Sequence, residues 1–108
     1  MTTQSKGRLI VILYEGTIKF LKLAIRALEG KNREDEKKYI DKAQEIIDEL
    51  NSLVDIGTGG EIAENLRKLY LFMGRRLREA STKHDPQMIR EVITLLEELN
   101  VSWKAVAG

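Results

Sequence analysis

The chain contains no cysteine. That excludes a disulfide scaffold, a thiolate metal site and a cysteine nucleophile. It has a single histidine, His84, and the residue three before it is Ser81, so the Glu-x-x-His pairs with which helical bundles hold two metal ions are missing. A Ser–His arrangement would have to use that one histidine, and no G-x-S-x-G elbow occurs. No apolar run approaches the roughly 20 residues needed to span a bilayer. The opening "MTTQSKGR" lacks the layout of a signal peptide. A formal net charge of +1 supplies no global field toward nucleic acid or an anionic membrane. The expectation is an intracellular, cytoplasmic protein with no enzyme activity, no cofactor, no metal, no membrane insertion and no nucleic-acid partner.

Proline is almost absent too, with one in 108 residues, which leaves long stretches free to be helical. Apolar residues make up 43% and charged residues 32%, a globular composition of a length suited to one domain over 1–108. Charged residues Glu15, Lys19, Lys22, Arg26 and Glu29 recur at helical spacing and predict a first helix over about 6–29, with Ser5 as its cap and Gly30 as its stop. Its inner face would be Ile10, Leu13, Thr17, Leu21, Ala24 and Leu28. Ile40, Ala43, Ile47, Leu50 and Val54 line a second helix over about 34–54, with Glu34, Asp35 and Glu36 in the first turn, where the helix dipole favours them. Ile62, Leu66, Leu69, Met73, Leu77 and Ala80 share a face of a third helix over about 61–83, with Tyr70 at its margin. Asp85 followed by Pro86 marks the start of a fourth, over about 86–106, whose inner face runs from Ile89 to Trp103. Short connections make neighbouring helices antiparallel. The fold class is therefore all-α, an antiparallel up-down-up-down four-helix bundle.

"DIGTGG" ahead of the third helix resembles a phosphate cradle only in its glycines. A helix precedes it, the Lys-Ser of a P-loop is missing, and Glu61 would compete with a phosphate for the helix dipole. Gly57, Gly59 and Gly60 instead read as a chain reversal using positive φ angles, and His84 as a loop or C-cap residue.

Two surface features remain. Arg67, Lys68, Arg75, Arg76 and Arg78 crowd the third helix, diluted by Glu61, Glu64 and Glu79 and without interleaved aromatics that would stack on bases. The first helix has more apolar surface than one bundle stripe needs: Val11, Ile12, Ile18, Leu23 and Ile25 lie within about 80° of the centre of its polar stripe. Leu71 and Phe72 add a smaller surplus on the third helix. The surplus residues Val11, Ile12, Ile18, Ile25, Leu71 and Phe72 are the candidate partner contacts, by helical-wheel geometry alone. The alternative is a helical adaptor that takes another helix or an acidic partner through Arg67, Arg75 and Arg78.

Four segments together resemble one family. "LIVILYEGTIKFLKLAIRAL" is similar to the first helix of the flagellar secretion chaperones that bind flagellin, the FliS family, with its L-Y-[DE]-G-[AT]-I run matched at Leu13–Ile18. "KAQEIIDELNSLVD", "GGEIAENLRKLYLFMGRRLREA" and "LLEELNVSWKAV" resemble its remaining helices in order. The resemblance implies a helical bundle in the bacterial cytoplasm that binds the C-terminal segment of flagellin, prevents premature polymerisation and passes its client to the flagellar export components without ATP. It departs at the start, where "TTQSKGR" stands in place of an arm with tyrosines leading into Thr-Ala-Ser-Pro-Glu-Glu. In the family that arm is thought to cover the groove. Lys6 and Arg8 oppose the helix dipole, so a frayed first turn and self-association through an uncovered groove are expected. Leu71 departs as well, at a position commonly polar in the family.

Overall fold

The computed structural model describes residues 3–107; residues 3–5 and 56–58 are placed only as helical backbone. Four helices follow one another: α1 (Thr3–Glu29), α2 (Arg33–Ser52), α3 (Ile56–Lys83) and α4 (Pro86–Ala107). α1 begins two residues ahead of Ser5, which therefore lies inside the helix rather than capping it. Each helix packs on its two neighbours in the cycle α1–α2–α3–α4, and neither diagonal pair makes backbone contact among the described residues. The bundle measures 43 × 24 × 19 Å, with the chain running up and down along the long axis. Gly7 at the start of α1 lies against Ala107 at the end of α4, and Glu29 at the other end of α1 reaches Arg90 at 3.5 Å.

The turns show where helical spacing misplaces the stop by one residue. After α1, Asn32 N–H donates to the Ala27 carbonyl at 2.8 Å and Lys31 N–H to the Leu28 carbonyl at 3.0 Å. This pair of bonds is a Schellman motif, and the left-handed residue is Lys31 at φ 60°, not Gly30. Asn32 then caps α2 by accepting from Asp35 N–H at 3.1 Å. A lysine in that conformation is strained by its Cβ, so Lys31→Gly is expected to raise stability by about 0.5–1 kcal/mol. A thermal melt shifted upward by about 2–5 °C would register the gain; no shift would mean the site carries no strain.

Before the long run of α3, Gly59 N–H bonds back to the Asp55 carbonyl at 2.8 Å and the helix breaks at Gly60, with φ 57° and ψ −133°. Of the glycines expected to turn the chain, Gly60 does so. Gly59 serves a different need: a Cβ there would sit 2.5 Å from the Ala63 Cβ. Gly57 is among the residues placed only as helical backbone. His84 holds the left-handed position after α3 at φ 51°, with Asp85 N–H bonded to the Ala80 carbonyl at 3.1 Å. Asp85 caps α4 through Gln87 N–H at 2.9 Å.

The core comprises Leu21, Ala24, Ile40, Ala43, Ile47, Met73, Leu77, Ile89, Val92 and Leu96, as the helical stripes predicted. Ile62 and Tyr70 are placed differently. Ile62 was expected on the core face of α3 but is exposed, because it lies two residues past the Gly60 break, at the end of the bundle. Tyr14 and Tyr70 are fully interior, and their hydroxyls meet at 2.6 Å across the bundle diagonal. Trp103 packs on Tyr14 with ring centroids 6.3 Å apart. Burial raises both tyrosine pKa values above their ordinary level, outweighing for Tyr14 its hydrogen bonds to Tyr70 and Trp103.

At the opposite end, Glu36 is turned inward and is only 1% exposed. Arg33 Nη1 reaches its Oε1 at 2.9 Å and His84 Nδ1 its Oε2 at 2.8 Å. The first-turn acid and the loop histidine thus form one joint tying the start of α2 to the α3–α4 turn.

Candidate functional site

The apolar surplus of α1 resolves into three fates. Ile25 is 9% exposed and belongs to the core, which removes it from the surface set. Its position near the polar stripe is buried because α1 packs on both α2 and α4. Val11 and Ile12 form, with Arg8, Lys104 and Ala107, a shallow hollow of about 240 Å³ on the α1–α4 seam. Ile18 lines a larger open hollow of about 540 Å³ farther along the same seam, with Leu23, Asn100, Val101 and Lys104. Lys104 borders both, so the two form one groove between the antiparallel helices.

Two exposed apolar side chains stand over this groove, Ile12 at 65% and Val101 at 69%. Its walls carry Lys19, Lys22, Arg26 and Lys104 against Glu15 and Glu97, with one loose ion pair, Lys22 to Glu97 at 3.8 Å. Asn100 is only 4% exposed, yet its side-chain carbonyl oxygen accepts no hydrogen bond among the described residues. A buried acceptor left unpaired costs about 1–3 kcal/mol.

A second apolar depression of about 260 Å³ sits at the end of the bundle where all four helices contribute. Ile10, Leu53, Ile62, Leu66, Trp103 and Val106 line it, beside Lys6 and Asp55. Ile62 and Val106 are largely exposed at its rim. Phe72 lies elsewhere, in a shallow trough between α3 and α4 beside Leu95 and Arg90, with the Arg76 guanidinium 6.0 Å from its ring. Leu71 is apart from all of these, on the outer face of α3.

Of the six candidate contacts, then, the structure brings Val11, Ile12 and Ile18 together on one seam and separates Ile25, Leu71 and Phe72 from them. Val101, Lys104 and Asn100 were missed because they belong to α4, whose own stripe is regular and shows no surplus until it is paired with α1. Ile62 and Val106 were missed because exposure at the end of a helix leaves no trace in periodicity. Among the described residues no group of acidic or histidine side chains is placed to hold a metal ion, and no helix is long and apolar enough to cross a membrane.

A family profile described as Flagellar protein FliS matches residues 1–108. The chain is 34% identical over 104 residues to the flagellar secretion chaperone FliS of Bacillus subtilis, an alignment covering 96% of this chain and 77% of that protein. It is 38% identical over 104 residues to the flagellar secretion chaperone FliS of Salmonella typhimurium, covering 95% of this chain and 77% of the other. With flagellar secretion chaperone FliSB of Pseudomonas aeruginosa it shares 37% identity over 100 residues, covering 93% and 79%. A bundle with an open apolar seam and matches of this extent lead to one assignment: the chain belongs to the FliS family of flagellar secretion chaperones.

Proposed function

We propose that this chain binds the C-terminal segment of flagellin in the bacterial cytosol, holds it from premature polymerisation and delivers it to the flagellar export components. The observation that carries the reading is the α1–α4 groove, over which the apolar side chains of Ile12 and Val101 stand exposed. An amphipathic segment that folds as it binds would cover these apolar side chains. Binding of this kind uses no nucleotide. It is driven by burial, at about 25 cal/mol per Å² of apolar surface, less the cost of ordering the client.

The test is capture of flagellin with and without its C-terminal segment on immobilised protein. Capture of the intact client only is expected. Equal capture of both, or of neither, would count against the reading. Ile12→Asp and Val101→Asp change exposed positions and should leave the helical circular dichroism intact while weakening flagellin binding about tenfold or more each. Unchanged affinity in both variants would move the client off this seam.

A further inference from the structure

The outer face of α3 carries a cluster that the groove does not use. Leu71 is 50% exposed. It follows Arg67 by four residues and Lys68 by three, and precedes Arg75 by four and Arg78 by seven, so helical spacing gathers all five on one face. All four cations are exposed, and none makes an ion pair or hydrogen bond through its side chain among the described residues. Some other cations are matched, Lys37 with Asp41 at 2.8 Å, Lys83 with Glu79 at 2.9 Å and Arg76 with Glu91 at 2.8 Å, while the α3 cluster gathers four unmatched ones on one helix face. Glu64, one turn before Arg67 and Lys68, lies within reach along the helix and pairs with neither. A concentration of positive charge around an exposed leucine therefore stands in a chain whose net charge is only +1.

We infer that this face of α3 is a second docking surface, for an acidic amphipathic protein segment that presents one large apolar side chain flanked by carboxylates. The complement is set by what is exposed. Four unpaired cations within about three helical turns, or ~16 Å, select carboxylates at matching intervals. Leu71 at their centre selects an apolar anchor and disfavours a purely charged ligand. A nucleic acid would find cations but no aromatic platform among them, and would leave Leu71 against phosphates. The surface is independent of the flagellin reading. Among the described residues α3 makes no backbone contact with α1, and its outer face points away from the α1–α4 groove, so both can be occupied at once. A client on one seam and an acidic partner on the opposite helix make the bundle a two-sided adaptor.

The test uses a fluorescein-labelled helical peptide with one leucine flanked by glutamates three and four residues to either side. Fluorescence anisotropy compares it with oligoglutamate of equal charge, a single-stranded DNA oligonucleotide and phosphatidylserine vesicles. The peptide is expected to bind about tenfold or more tighter than oligoglutamate and to weaken about tenfold when salt rises from about 50 to 300 mM. Amide chemical-shift changes should centre on residues 64–82. Arg67→Glu combined with Arg78→Glu should abolish binding, and Leu71→Ser should remove the advantage over oligoglutamate, both with unchanged circular dichroism. Binding no tighter than oligoglutamate, tighter binding of DNA or vesicles, or full binding by the charge-reversed variant would each overturn the inference.

Discussion

Above about pH 10 the protein is expected to lose stability steeply, and the Tyr14–Tyr70 pair is the reason. Both hydroxyls are interior and 2.6 Å apart, and burial holds both pKa values above the ordinary value of 10.0. Below that value the two tyrosines are protonated whether the chain is folded or not, so their contribution is fully present. As pH rises past it, the unfolded chain releases protons that the folded chain keeps, and the equilibrium shifts toward unfolding. A group that stays protonated in the fold while it ionises in the unfolded chain costs up to about 1.4 kcal/mol per pH unit, so both tyrosines act in the same direction as pH rises past about 10. Urea titrations from about pH 8 to 11 would measure this. The double variant Tyr14→Phe/Tyr70→Phe is the reference, because the remaining titrating groups are common to both proteins. Its stability should fall less steeply above about pH 10 than that of the unchanged chain. Equal pH dependence of the two would show that the pair ionises freely in the fold.

Glu36→Ala is expected to destabilise the chain by about 2 kcal/mol. The carboxylate is interior and accepts from Arg33 at 2.9 Å and His84 at 2.8 Å, so its loss removes two charge-assisted bonds and leaves a small void. Arg33 and His84 are about half exposed and can return to water, which keeps the cost below that of a fully buried pair. In a domain of this size the change lowers the melting temperature by about 10 °C. A cost below about 0.5 kcal/mol would class Glu36 with ordinary surface acids.

Much of this was readable in the residues themselves. The core stripes of α1, α2 and α4, the Asp85–Pro86 start of α4 and the family of the chain all follow from local spacing and ordered motifs. The groove was half readable. Val11, Ile12 and Ile18 stood out because α1 carries more apolar surface than its core stripe uses, whereas Ile25 looked the same by spacing and is buried. A helical wheel places a side chain around its own axis but does not say how much of that arc the neighbouring helices cover.

The sequence alone therefore determined the helices, their antiparallel order and the kind of protein, because 3.6-residue periodicity, capping chemistry and short loops act over a few residues. Only the tertiary structure decided which apolar residues remain free, since exposure depends on the partner helix and its register. It brought Val101 and Asn100 of α4 opposite Ile18 of α1, joined Glu36 to His84 across 48 positions of sequence, and set Tyr14 against Tyr70 across 56. Contacts at such separations are made by packing, and no local pattern encodes them.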